Sequence, residues 1–130
     1  ANRGLESFSL ADSTGMANPD SIRAVINAVR EATDVPLVLH LHDTRGLAIA
    51  NVVAALEMGI TRFDTSLGGL GGCPFIPGAT GNVATEDVVN LLDQLGIKSG
   101  IKNGSVAAIS REMAAFLGRP LSGKMYKLLG

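Results

Sequence analysis

Leu37-Val38-Leu39-His40-Leu41-His42 stands between the helix breakers Asp34 and Pro36 and the polar pair Asp43-Thr44. Its apolar side chains fall on both alternating positions, so it reads as a short strand of a parallel sheet covered on both faces. Upstream, Asn18 offers a helix cap with Pro19 at the first helical position, and Ile22, Val25, Ile26 and Val29 recur at i, i+3, i+4 and i+7. A brief strand, Phe8 to Ala11, precedes that helix. Downstream, Asp43 or Thr44 can cap a helix whose apolar face runs through Ile49, Val52, Val53 and Leu56, and Gly59 ends it.

Ile60 to Ser66 supplies a third strand. After a glycine-rich loop, a helix capped near Thr85 carries Glu86 and Asp87 in its first turn, turns Val88, Leu91, Leu92 and Leu95 inward, and closes at Gly96. A last helix, about Ser105 to Leu117, puts Val106, Ile109, Met113 and Phe116 on one side. The strand-helix units thus run over about 7–32, 37–58 and 60–96, with terminal helices over about 101–130. Strand-helix units in series mean parallel strands with right-handed crossovers, hence an α/β architecture. An open doubly wound sheet and a (β/α)8 barrel both fit that order. A whole barrel takes about 250 residues, so within 130 residues the second reading is a partial barrel of about three parallel strands with covering helices. Open sheet edges then invite pairing, either with a second copy as a homo-oligomer or with a missing N-terminal half of the barrel.

The composition is 46% apolar and 18% charged, which describes a globular chain. Eleven basic against twelve acidic side chains give a formal charge of −1, which predicts neither nucleic acid nor an anionic membrane surface as partner. No apolar run approaches the roughly 18 residues of a spanning helix, and Ala1 to Leu10 lacks the pattern of an export signal. The single cysteine, Cys73, forms no internal disulfide and suits a reducing, cytoplasmic location. The chain opens on Ala1 without an initiator Met, which points to a trimmed or partial product.

Polar groups gather at the carboxyl ends of the strands: Asp12 after the first, His40 and His42 at the second, Asp64 at the third. In parallel α/β proteins that rim is where ligands bind. Alternate strand residues project to one face with Cα atoms roughly 6.5 to 7 Å apart. Two imidazoles so placed can grip one metal ion at about 2.1 Å each. The competing reading is two histidines that end a strand and are satisfied by backbone or carboxylate partners. Asn82 likewise reads as a cap or turn residue or as an amide oxygen for a cation, and spacing does not choose. In Gly68-Gly69-Leu70-Gly71-Gly72-Cys73-Pro74 the thiol lies between a diglycine and a proline, outside any periodic apolar pattern. That favours an exposed, functional cysteine on a moving lid over a small buried hydrophobe. Lys124 and Lys127 read as a solvated basic tail or as a contact for phosphates.

Leu10-Ala11-Asp12-Ser13-Thr14-Gly15, His40-Leu41-His42-Asp43-Thr44-Arg45-Gly46, and Gly69-Leu70-Gly71-Gly72-Cys73-Pro74-Phe75 through Gly81-Asn82-Val83-Ala84-Thr85-Glu86-Asp87 together resemble the 3-hydroxy-3-methylglutaryl-CoA lyases. These are metal-dependent TIM-barrel lyases whose first strand carries an Asp-Arg-Glu-type motif. The resemblance implies the last three strands of such a barrel. It also implies His40 and His42 as ligands of Mg²⁺ or Mn²⁺, Asn82 as a further oxygen ligand, Cys73 as the catalytic thiol, and Asp12 as a carboxylate that orients or deprotonates the substrate hydroxyl. The implied reaction is a retro-Claisen cleavage of 3-hydroxy-3-methylglutaryl-CoA, or a similar acyl-CoA, to acetyl-CoA and a keto acid. A synthase of the isopropylmalate or homocitrate type shares the H-x-H-D strand, and a non-catalytic α/β ligand-binding module is the third reading. Ser13, Leu41 and Arg45 depart from the family's frequent Thr, Cys and aromatic residues, which leaves the acyl group open. The family's aspartate ligand and neighbouring arginine have no counterpart in this sequence, so the chain alone is expected to bind metal weakly and turn over little or nothing.

Overall fold

A computed structural model describes residues 4–71 and 81–129, and the chain forms two compact units, Ala1–Asp64 and Thr65–Gly130. Among the described residues no helix is long and apolar enough to cross a membrane.

In the first unit, strands β1 (Phe8–Asp12), β2 (Leu37–Leu41) and β3 (Arg62–Asp64) form one parallel sheet in the order β1-β2-β3. Helix α1 (Pro19–Ala32) follows β1, and α2 (Ala48–Glu57) follows β2. The start of α1 is locally determined. Asn18 Oδ1 accepts from the Ser21 N–H, and Ser21 Oγ accepts from the Asn18 N–H, each at 2.9 Å, with Pro19 beside them where no N–H is needed. Helix α2 begins later than its polar signal suggests. Its cap position is Leu47, while Asp43 reaches forward to accept from the Ala48 N–H at 3.1 Å. Gly59, at φ 81°, turns the chain out of α2 in the left-handed region that glycine enters without strain.

Burial alternates along β2. Leu37, Leu39 and Leu41 are buried, whereas Val38 and His40 are half-buried on the other face. The described residues therefore cover only one face of the sheet, against the expectation of two. The reason is that α1 lies to one side, where Leu10, Ile22, Ile26 and Leu39 surround a common cavity of about 130 Å³. Ile26, Leu39, Leu41 and Val52 form the heart of this unit; each contributes about 1.5–3 kcal/mol by leaving water. Val25, counted in the apolar stripe, is 49% exposed.

In the second unit, Ser66 and Ala84 form an isolated parallel bridge, and a turn of 3-10 helix, Leu67–Gly69, follows Ser66. Helix α3 (Thr85–Gln94) and helix α4 (Asn103–Leu117) pack with a second short turn, Met125–Lys127. Glu86 is wholly buried: its carboxylate accepts the Gly68 N–H at 3.0 Å and the Ser110 hydroxyl at 2.7 Å. Asp87 accepts the N–H groups of Lys124 and Met125, the second at 2.8 Å. The backbone of the C-terminal segment is thus folded onto α3 and α4, with Tyr126 buried beside Leu121 and Ala107, while the Lys124 and Lys127 side chains are exposed to solvent as expected.

Helix α4 turns a different side inward from the one its large apolar residues mark. Ala107 and Ser110 are fully buried, while Ile109 and Phe116 are 52% and 85% exposed. The cause is the buried Glu86, which takes the Ser110 hydroxyl as a partner, together with the buried cluster in which Ala107 packs with Leu121 and Tyr126. Leu95, expected to face inward, follows the end of α3 and is half exposed.

Candidate metal centre at the strand rim

His40 is the fourth residue of β2 and His42 directly follows the strand, so strand periodicity aims both rings to one face. Their centroids lie 5.5 Å apart with planes tilted by 36°. His40 Nδ1 is 3.4 Å from Asp64 Oδ2, its register partner on β3. The Nδ1 atom of His42 is buried and has no hydrogen-bond partner among the described residues. Burial disfavours the His42 imidazolium, the neighbouring His40 adds to that effect, and Asp12 opposes it; the net result is a pKa below the ordinary 6.5. His42 is therefore a neutral imidazole at pH 7, the form that donates a lone pair.

The turns that carry Asp12 and His42 are stitched together. Asp12 Oδ2 accepts from the Ala17 N–H at 3.2 Å, which folds the turn back on its own carboxylate. Arg45, three residues past His42, donates to the Thr14 carbonyl at 2.8 Å, and Asn51 of α2 donates to the Ala17 carbonyl at 3.0 Å. Gly15, at φ 69°, is buried against Thr44, whose Cβ would stand 2.8 Å from any side chain added there. The sequence reading missed Arg45 and Asn51 as positioning groups, because their partners are backbone carbonyls distant in the chain.

The first unit thus sets His40 and His42 of the expected site side by side, while Asp12, the register partner of Leu41, reaches His42 only through its charge. Asn82 lies in the second unit. Its N–H donates to the Gly71 carbonyl at 3.0 Å and its Nδ2 to the Leu70 carbonyl at 2.9 Å, so its amide oxygen is the end not turned to Leu70. Cys73 lies outside the described residues. Two adjacent imidazoles supply nitrogen donors for a divalent cation, and a hard one such as Mn²⁺ requires oxygen ligands besides. Among the described residues no three His, Cys, Asp or Glu side chains gather at one point, so an acidic oxygen does not complete the pair.

Comparison with known proteins gives this arrangement a context. The family model described as HMGL-like matches residues 1–113. Hydroxymethylglutaryl-CoA lyase YngG of Bacillus subtilis is 44% identical over 122 residues, covering 93% of this chain and 41% of that protein. An (R)-citramalyl-CoA lyase of Chloroflexus aurantiacus is 46% identical over 119 residues, covering 91% of this chain and 38% of that protein. The crystal structure of the B. subtilis HMG-CoA lyase superposes with a TM-score of 0.91 at 43% identity, over 96% of this chain and 42% of that one. An HMG-CoA lyase from Acinetobacter baumannii, solved with coenzyme A and 3-methylmalate, gives 0.87 at 45% identity, over 95% and 41%. The chain spans about two fifths of the length of these relatives, and its three parallel strands are correspondingly part of a barrel.

Proposed function

Because the chain belongs to the HMGL-like family, we propose that it supplies the histidine rim of a divalent-metal-dependent carbon-carbon lyase acting on a 3-hydroxyacyl-CoA. The observation that carries this reading is the His40–His42 pair, with a buried His42 Nδ1 that has no hydrogen-bond partner among the described residues. His40 and His42 would hold Mg²⁺ or Mn²⁺, and Asn82 joins them as an oxygen ligand on the resemblance. When bound, the cation polarises the substrate's 3-hydroxyl and a neighbouring oxygen, which makes loss of the hydroxyl proton feasible near neutral pH.

The chain's own groups account for the proton traffic. Asp12 orients the 3-hydroxyl and takes its proton. The C2–C3 bond then breaks, the oxygen's electron pair forms the keto product's carbonyl, and the C2 electrons remain on the thioester fragment as its enolate. The Cys73 thiol delivers a proton to that carbon, giving acetyl-CoA. A synthase runs the bond-forming direction and has no stated need for such a thiol. The relatives include lyases for both hydroxymethylglutaryl-CoA and citramalyl-CoA, so the acyl group is the open variable of the proposal. A reducing, cytoplasmic setting suits the lone thiol, and the outer edges of β1 and β3 suit the remaining segments of a barrel or a second copy.

Two imidazoles and an amide oxygen, without a carboxylate, make a poor site for a hard cation, so the chain by itself is expected to bind Mn²⁺ weakly. The test is cleavage of both acyl-CoA substrates by the chain combined with the remaining segment of the B. subtilis relative, supplied as a separate polypeptide. Mn²⁺-dependent release of acetyl-CoA, lost in His42→Ala and Cys73→Ala, is the expected result. Activity that survives both substitutions contradicts the assignment, and tight stoichiometric Mn²⁺ binding in calorimetry of the chain alone contradicts the donor set.

A further inference from the structure

We infer that Asp64 is a positioning residue that fixes His40 as an Nε2 ligand, an inference resting on the metal-site reading above. His40 and Asp64 are register partners on adjacent parallel strands, so their side chains leave the same face of the sheet side by side. Slipping β3 by one residue would send Asp64 to the opposite face, so the contact is written into the strand pairing. A carboxylate only accepts hydrogen bonds, so the 3.4 Å contact between Oδ2 and Nδ1 places the imidazole proton on Nδ1. In the neutral ring the lone pair is then confined to Nε2, the nitrogen pointing away from β3. Metal-bound histidines are commonly held this way, with the second ring nitrogen donating to a carboxylate that sets tautomer and ring orientation.

The two side chains are 36% and 53% exposed. A polar contact so exposed to water adds little to folding, so its consequence lies in which nitrogen His40 presents. His42 lacks such a partner at Nδ1. The two imidazoles are therefore unequal: His40 has its tautomer set by a neighbour, whereas among the described residues no hydrogen bond at Nδ1 does the same for His42.

The experiment follows imidazole ¹⁵N shifts in the full, metal-free chain at about pH 9, where histidine is neutral, for wild type, Asp64→Ala and Asp64→Asn. His40 is expected to carry its proton on Nδ1 in wild type, to keep it in Asp64→Asn, whose amide oxygen still accepts, and to lose that preference in Asp64→Ala. In Mn²⁺ titrations, Asp64→Ala is expected to weaken binding at the histidine pair by about 10- to 100-fold, with Asp64→Asn between it and wild type. A proton on Nε2 of His40 in wild type, or an unchanged tautomer and Mn²⁺ response in Asp64→Ala, overturns the inference. Failure of the metal reading is recognised separately: there, His40→Ala leaves Mn²⁺ binding unaltered, while the tautomer measurement still decides whether Asp64 orients the ring. Asp64→Asn is close in shape to the native residue, so the comparison stands even if the alanine variant folds poorly.

Discussion

Ser110 donates its hydroxyl hydrogen to Glu86 Oε2 at 2.7 Å, and both residues are wholly shielded from water. The other oxygen of the same carboxylate receives the Gly68 N–H at 3.0 Å, so one buried group ties α3 and α4 to the turn from which the glycine-rich segment departs. Removing the hydroxyl leaves a buried carboxylate one partner short. Ser110→Ala is therefore expected to destabilise the fold by about 1–3 kcal/mol. Urea denaturation checks this: the midpoint should fall while the slope is unchanged.

The inward side of α4 gives a sharper contrast. Phe116, 85% exposed, should tolerate replacement by serine with a stability change within about 0.5 kcal/mol. Ala107, fully buried against Leu121 and Tyr126, should not accept leucine, and overpacking there is expected to cost about 1–3 kcal/mol. Thermal denaturation of the two variants decides it; equal effects would mean that α4 presents its large apolar residues inward after all.

That helix also shows where sequence reading ends. The cap of α1 was legible because Asn18, Pro19 and Ser21 satisfy one another within four positions, and the exit from α2 was legible because Gly59 needs no distant partner. The inward side of α4 was not, since it follows from a buried carboxylate in another helix that no apolar periodicity reports. The rim behaves likewise. Histidines two apart on a strand could be read as a pair, but the pairing of His40 with Asp64 depends on strand register, and the bridges from Arg45 and Asn51 depend on tertiary approach.

Gly15 is the tightest point of that approach. A side chain there would have to hold a positive φ and displace Thr44, so Gly15→Ala is expected to cost about 1–3 kcal/mol in backbone strain alone. Because Gly15 sits between Asp12 and the turn following His42, the NMR lines of both residues should shift in the variant. A stable protein with unmoved lines would show that the two turns are independent.

His42 carries a pH signature whose sign follows from its lowered pKa. Just below the ordinary value of 6.5 the unfolded chain holds more protons at this position than the folded one. The His42 contribution is thus fully present above pH 6.5 and is lost as pH falls through the lowered value. An NMR titration should place the His42 midpoint below 6.5, and His42→Gln should flatten the acid side of the stability curve. A midpoint above 6.5 would reverse the sign.

The central claim is that His40 and His42 act as one cation site. Its most direct measurement is Mn²⁺ titration of the chain near pH 7.5, following the ring Cε1–H resonances of both histidines by NMR. Paramagnetic broadening is expected at the two rings together, with weak overall affinity, and His42→Ala should abolish the broadening at His40. Rings that stay sharp while Mn²⁺ broadens other parts of the chain would contradict the claim.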